Sequence, residues 1–140
     1  MYRILVAGLL AFVIGPACAA PSSTLVIKVE NVSPRGGDLR LALYNRQNYP
    51  GDQTPVADKV VPAHPGETIV TLDNLKPGTY AVKMFQDFNR NGQFDMNWMG
   101  LPIEKYGFSN DARPTFSEPP FEATRFELRL GTNTITIHLQ

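Results

Sequence analysis

Apolar and polar residues alternate with a period of two along much of the chain after residue 22. In the first such segment, Leu25, Ile27 and Val29 occupy every second position. Successive side chains of a β-strand point to opposite faces of a sheet, so this pattern predicts strands with one buried face. The alternation, together with short apolar runs bounded by turn residues, predicts strands over 25–30, 39–44, 59–61, 68–72, 79–87, 126–130 and 135–139.

Glycine and proline residues divide these strands. Pro77 and Gly78 suit the centre of a type II turn, where glycine adopts a positive φ without steric cost. Residues 131–133 join the last two strands, which we expect to form a hairpin. Roughly seven short strands therefore predict an all-β fold. The expected architecture is a single antiparallel β-sandwich, immunoglobulin-like or prealbumin-like, with a long loop before the last hairpin.

The first nineteen residues follow a different pattern. Arg3 precedes an apolar run over 4–14 that is short for a membrane span, and small residues follow at 17–19. This arrangement predicts a signal peptide over 1–19 and a mature domain over 20–140 without a transmembrane segment. We therefore expect a periplasmic or secreted protein. A lipid anchor on Cys18 is the alternative, although such a signal normally has Leu where Gly15 stands.

Charge and composition exclude several classes of function. Thirteen basic and thirteen acidic residues give no net charge, and no run of like charge indicates nucleic-acid binding. Cleavage after residue 19 would leave a mature chain without cysteine, and hence without disulfides. The sequence contains no G-x-S-x-G, P-loop or G-x-G-x-x-G motif. We expect a protein that is not an enzyme.

The segment after the fifth predicted strand carries the clearest candidate chemistry. Asp87, Asn89, Asn91 and Asp95 fall on odd positions, and Gly92 follows the third of them. A loop of the form D-x-[DN]-x-[DN]-G winds around Ca²⁺ and supplies oxygen ligands at this spacing. The sequence therefore predicts a calcium site in this acidic loop.

The calcium ligand set needs a residue from elsewhere, because Trp98 occupies the twelfth position of the loop, where a bidentate Glu would stand. Glu104 is the expected closing ligand, with Asp111 or Asn97 as alternatives. The predicted set is Asp87, Asn89, Asn91, Gln93 through its carbonyl, Asp95 and Glu104. Few carboxylates imply weak binding, roughly 10⁻⁴–10⁻³ M. The alternative is an ion-free turn, because Asn-Gly is a strong two-residue hairpin signal and because Asp and Asn side chains cap their own turns by accepting backbone N–H groups.

The long loop offers two further interpretations. We expect its large apolar side chains to fold it onto the sandwich; an exposed platform for a sugar or peptide is the alternative. These residues are Trp98, Met99, Tyr106, Phe108 and Phe116. A hydrolase with its site in the 100–120 loop, using Glu104, Asp111 or Arg113, is a further alternative. His64 and His138 are both expected to be solvated.

Three segments carry a family resemblance. They are Leu75–Val82, the Asp87–Asp95 loop and the run Gly100–Ala112, whose most specific part is G-x-P-x-E-x-x-G-F-S-N. Together they resemble the bacterial exported family DUF2141, a domain of unknown function. The resemblance implies an immunoglobulin-like sandwich in the bacterial envelope or outside the cell. It brings no established catalytic residues, and the partner implied by export is an envelope or extracellular protein or a glycan.

Overall fold

The computed structural model describes residues 15–51 and 53–140. Residues 1–14 of the predicted signal peptide lie outside the described residues, and residues 15–22 are exposed without regular structure. The described part forms the strands β1 (Ser23–Val32), β2 (Asp38–Tyr44), β3 (Ala57–Pro62), β4 (Gly66–Leu75), β5 (Gly78–Asp87), β6 (Tyr106–Phe108), β7 (Phe126–Leu128) and β8 (Gly131–His138). A 3₁₀ turn (Ser109–Asp111) and the short helix α1 (Phe121–Thr124) lie between β6 and β7. Nowhere in this part is there a helix long and apolar enough to cross a bilayer.

Two sheets build the domain within the described ranges. The first sheet has the order β4-β1-β8, and the second has the order β3-β2-β5-β6, with β7 also paired to β5. Most pairs are antiparallel, but β1 and β8 run parallel, with Ile27 opposite Ile135. The predicted all-β sandwich is confirmed, although one of its strand pairs is parallel.

The inner faces of both sheets share one core. In β1, Leu25, Ile27 and Val29 are fully buried, as their alternation predicted. In β2 the buried residues are Leu39, Leu41 and Leu43. Side chains from β4, β5, β7 and β8 join the same cluster. Burial of apolar surface from both sheets therefore supplies the main stabilisation of the fold.

The predicted final hairpin is wrong. Phe126 in β7 pairs with Tyr80 of β5 in the second sheet, whereas β8 pairs with β1 in the first sheet. The chain crosses between the sheets at Leu130, which is exposed, and Gly131, whose φ is 89°. Alternation shows which face of a strand is buried, but both sheets bury a face against the same core. The pattern therefore could not show which strands would pair.

The predicted long loop contains regular structure that the sequence did not indicate. Strand β6 pairs with β5, placing Gly107 opposite Met84, and brings the structure to eight strands among the described residues. A Cβ on Gly107 would lie 2.7 Å from Cγ2 of Ile137, so only glycine allows this approach to β8. Three residues are too few for alternation to stand out in a sequence, which explains why β6 was missed.

Candidate functional site

The acidic loop begins at Asp87, the last residue of β5, whose side chain is fully buried. Its Oδ2 accepts hydrogen bonds from Nε of Arg40 at 2.7 Å and from the Gly92 N–H at 2.8 Å. Its Oδ1 accepts one from the Asn91 N–H at 3.2 Å. Burial alone would raise the pKa of the Asp87 carboxyl, but these hydrogen bonds outweigh it and hold the pKa below its usual value. Asp87 is therefore ionised at neutral pH and fixes the loop to β2.

The remaining polar side chains of the loop meet at Asp95. Nδ2 of Asn89 donates to Oδ2 of Asp95 at 2.9 Å. Nδ2 of Asn91 lies 3.0 Å from Oδ1 and 2.8 Å from Oδ2 of the same carboxylate. The Asn89 and Asn91 side-chain oxygens each accept the N–H two residues on, at 3.2 and 2.9 Å. Asn89, Asn91 and Asp95 thus meet at one point, where the two amides present N–H groups rather than the oxygens that would bind a cation.

Glu104 closes the loop from the opposite side. Its Oε1 accepts the Phe88 N–H and its Oε2 accepts the Asp95 N–H, both at 3.0 Å. The residue is 5% exposed. One carboxylate therefore joins the start and the end of the acidic loop, where the closing residue was predicted.

Gln93 and Gly92 are the remaining residues of the predicted loop site. Gln93 is exposed and donates its N–H to Asn91; its role as a carbonyl ligand stays a prediction. Among the residues described, no group of three or more His, Cys, Asp or Glu side chains has the arrangement of a metal site. Within the described 88–95 segment no strand flanks Asn91 and Gly92, so the hairpin does not form there. The side chains of Asp87, Asn89 and Asn91 instead accept backbone N–H groups of their own turn, as the turn-capping alternative predicted.

Residues 96–103, which we call the flap, follow the acidic loop and carry exposed apolar side chains. A bridge between Met96 and Pro102 closes the flap, and Oδ1 of Asn97 accepts the N–H groups of Met99 and Leu101. Trp98, at the tip, is 92% exposed. The other exposed apolar residues of the flap are Met96, Met99, Leu101 and Ile103.

The expectation that the loop aromatics fold the loop onto the sandwich is therefore wrong for several of them. Trp98, Met99 and Phe116 are exposed, and Phe116 has its whole side chain in solvent. Tyr106 and Phe108 are half-buried on β6, as expected. Strand pairing to β5 holds the last two in place, whereas the flap is closed by its own turn and keeps its tip away from the core.

A groove of about 960 Å³ lies over the outer face of the second sheet. Its floor includes Arg40 and Ala42 of β2 with Lys83 and Phe85 of β5, which alternate with core residues. The flap lines one part of the groove, and residues 114–118, which we call the strap, line another. Ala42 lies opposite Lys83 in the sheet, and its small side chain leaves room between larger neighbours.

Aromatic rings form a continuous row beside the groove. The ring centroids of Phe85 and Phe94 are 5.5 Å apart, those of Phe94 and Tyr106 are 5.8 Å apart, and those of Tyr106 and Phe108 are 6.2 Å apart. All four rings are half-buried and line the groove. Tilted and edge-to-face pairs of this kind give a rigid apolar surface.

Lys83 is a groove residue that sequence reasoning missed. Its side chain is 15% exposed, and Nζ lies 4.6 and 4.1 Å from the ring centres of Tyr44 and Tyr49. Nζ also donates to the Tyr49 carbonyl and pairs with Oε1 of Glu118, both at 2.6 Å. Period two placed Lys83 on the outer face, but nothing in the sequence showed that the strap covers this face.

The acidic loop and the groove both lie within a range that matches one protein family. The family model of DUF2141, described as an uncharacterized protein conserved in bacteria, matches residues 27–136. The chain belongs to the DUF2141 family. The resemblance noted in the sequence is thereby confirmed. No curated protein and no solved structure gives a significant match to the chain.

The groups suggested for a hydrolase lie in separate networks of this DUF2141 domain. Glu104 accepts two N–H groups of the acidic loop. Asp111 instead binds His138, with Oδ2 2.7 Å from Nδ1 of the imidazole. Arg113 is exposed on the segment that follows. The structure therefore does not gather these residues around one site.

His138 differs from its expected solvated state. Besides Asp111, it contacts Glu30, whose Oε2 is 2.9 Å from Nε2 of the ring. The hydrogen bond and charge of Asp111, with a lesser contribution from Glu30, raise the pKa of His138 and outweigh the opposing effect of burial. No local signal reveals this contact, because the three residues lie far apart in the sequence. His64 is exposed in its turn, as expected.

Proposed function

We propose that this DUF2141 protein is exported and acts as a calcium-stabilised binding or structural accessory module without catalytic activity. One observation carries the proposal: both Asn89 and Asn91 place their side-chain amides within 3.0 Å of the Asp95 carboxylate. Three of the four odd-position residues, Asn89, Asn91 and Asp95, thus meet at one point. Rotation of each amide by half a turn would present its oxygen there, as a hard cation requires.

Calcium would act mainly on the order of the acidic loop and the flap. Asp95 holds the end of the loop, and its backbone carbonyl accepts the N–H of Ile103 at the end of the flap. Three carboxylates, those of Asp87, Asp95 and Glu104, surround the loop. Each already accepts hydrogen bonds from the protein, which supports a weak site rather than a tight one. Such a site suits a compartment in which Ca²⁺ is abundant, in agreement with the proposed export.

Titration calorimetry with CaCl₂ tests the proposal. We expect one ion per chain with a dissociation constant of roughly 10⁻⁴–10⁻³ M. Asp95→Asn should weaken binding at least about tenfold, whereas Asp73→Asn, at an exposed position on β4, should leave it unchanged. The absence of calcium heat at millimolar concentrations would refute the calcium part of the proposal.

A second candidate function is recognition of a glycan or peptide by the loop aromatics. The observation that favours it is the exposure of Trp98 and Phe116, 92% and 106%, on two segments that both line or border one groove. Large apolar side chains in solvent commonly indicate an interaction surface. We expect Trp98→Ala to lose binding of the glycan or peptide while its folding is unchanged.

A further inference from the structure

We infer that the groove binds an acidic oligosaccharide, and that a uronate carboxylate of the sugar displaces Glu118 from Lys83. The inference names the ligand class of the proposed binding module and rests on that part of the proposed function. It uses the sheet face, the strap and the row of rings beside them, and the exchange between Lys83 and Glu118 that carries it takes place outside the acidic loop.

Lys83 is the fixed partner of the pair. It projects from the central strand β5, two aromatic rings pack against its ammonium group, and the Tyr49 carbonyl accepts a hydrogen bond from Nζ at 2.6 Å. Tyr49 is itself 3% exposed, and its hydroxyl donates to the Pro119 carbonyl at 2.6 Å. A cation held in this way is already positioned for a carboxylate and loses little side-chain freedom on binding.

Glu118 is the exchangeable partner. It lies in the strap, outside any helix or strand, and its side chain is 39% exposed, against 15% for Lys83. Arg40, the other cation on the groove floor, differs because its partner Asp87 is fully buried and bound to two backbone N–H groups. Lys59 also lines the groove, with its Nζ bonded to the Thr71 carbonyl at 2.7 Å. Among the described cations of the groove, Lys83 is therefore the one paired with a counter-charge that can leave into solvent, and a ligand carboxylate matches that charge.

The remaining lining fits a sugar. The row from Phe85 to Phe108 presents half-buried rings, on which the C–H faces of pyranose rings pack. Asp58, Thr115 and Ser117 add polar groups for sugar hydroxyls around the same space. A largely aromatic surface with a few polar groups is the usual composition of a small-ligand site.

The position of the groove favours a sugar over an extended peptide. Peptides that bind sheets as extra strands need free backbone N–H and C=O groups at a sheet edge. The floor of this groove is instead the face of β2 and β5, whose backbone groups pair with neighbouring strands. Recognition must then come from side chains, which suits a ligand rich in hydroxyl and carboxylate groups.

The test is calorimetric titration of the protein with tetragalacturonate, in buffer containing EDTA so that calcium bridging makes no contribution. The neutral control ligand is cellotetraose, and the peptide control is tetraglutamate. We expect tetragalacturonate to bind at least about tenfold more tightly than either control. Lys83→Met, which keeps an unbranched side chain of similar length, should remove this tenfold preference, equivalent to about 1.4 kcal/mol.

Glu118→Gln provides the decisive variant. Removal of the internal competitor should tighten tetragalacturonate binding about three- to tenfold, because a larger fraction of the protein then has Lys83 available. If Glu118 only stabilised the strap, its replacement would weaken tetragalacturonate binding instead of tightening it. Since Glu118 is half-exposed on the strap, this variant tests the inference even if Lys83→Met fails to fold.

Each outcome is decisive. No binding of tetragalacturonate to either the wild-type protein or Glu118→Gln overturns the inference, as does equal binding of the neutral tetrasaccharide. Tighter binding of tetraglutamate would assign the groove to an acidic peptide and also overturn it. The calcium titration is run without sugar, so failure of the calcium site and failure of the sugar site are read separately.

Discussion

Nδ1 of His138 lies 2.7 Å from Oδ2 of Asp111, and the backbone N–H of His138 donates to the other carboxylate oxygen at 2.8 Å. This double contact joins the 3₁₀ turn to the end of β8. Asp111 adopts a φ of 51°, a left-handed conformation that the contact helps to hold. With Glu30 on the opposite ring nitrogen, the imidazole lies between two carboxylates and is stabilised in its protonated form.

A dependence of stability on pH follows from this arrangement. The pKa of His138 is raised above its ordinary value of 6.5 in the folded state, so its stabilising contribution is complete below pH 6.5. That contribution is lost as the pH rises through the folded-state pKa. Thermal unfolding between pH 5.5 and 9 should show a fall in Tm with rising pH in the window just above 6.5.

His138→Gln should abolish this fall, because glutamine does not titrate. The matched control is His64→Gln, at an exposed turn position, which should keep the wild-type profile. A wild-type Tm that stays level across this window, or one that falls equally in His138→Gln, would contradict the prediction.

Arg40 and Asp87 provide a second prediction, on stability. Arg40→Met removes the side-chain donor from a fully buried carboxylate, leaving only backbone N–H groups. We expect the free energy of unfolding to fall by about 2–3 kcal/mol, less than for a wholly buried pair because Arg40 is partly exposed. Urea unfolding at pH 7 measures the change.

Arg90→Met is the control for this experiment. Arg90 pairs with Asp38 at 3.2 Å, but its side chain is 62% exposed. Surface pairs contribute little, so the expected loss is below about 1 kcal/mol. Similar losses of unfolding free energy in Arg40→Met and Arg90→Met would contradict the expectation that the pair with buried Asp87 contributes more than the exposed pair.

Calcium should shift the thermal unfolding of the protein. With 10 mM Ca²⁺ and a dissociation constant of roughly 10⁻⁴–10⁻³ M, linkage gives about 1.4–2.7 kcal/mol of added stability. For a domain of this size the expected rise in Tm is roughly 5 °C or more. Differential scanning fluorimetry in CaCl₂ and in EDTA measures the shift.

Asp95→Asn should remove the calcium shift while preserving the fold, since asparagine keeps the shape of the side chain. Mg²⁺ at the same concentration should give a smaller rise, because its tight octahedral coordination fits a wide oxygen loop poorly. Identical midpoints in CaCl₂ and EDTA would count against the site.

The proposed export yields a prediction about the mature chain. Cleavage by a signal peptidase after residue 19 should leave Ala20 as the first residue of protein recovered from the periplasm or medium of a bacterial host. Intact mass spectrometry identifies this end. Protein recovered in the membrane fraction with lipid on Cys18, and lost from it in Cys18→Ser, would instead support the lipid-anchor alternative.

Local sequence pattern determined seven of the eight strands among the described residues and most of their buried positions. Leu39, Leu41 and Leu43 could be assigned to a core face because the two sides of a strand alternate irrespective of its neighbours. The odd-position oxygens of the acidic loop were also predictable, since their spacing is set by the local winding of the chain. Glu104 was chosen because it is the first carboxylate downstream of the loop, and the structure shows it joining the two ends of the loop.

Only the tertiary structure decided which strands lie side by side and what covers their outer faces. The division of β7 and β8 between two sheets, the contact of Lys83 with Glu118, and the position of His138 between Asp111 and Glu30 all join residues that are distant in sequence. Such contacts depend on how the two sheets close around the shared core. Alternation of apolar and polar side chains shows which face of a strand is buried. It does not show which strand lies beside it or which segment covers its other face.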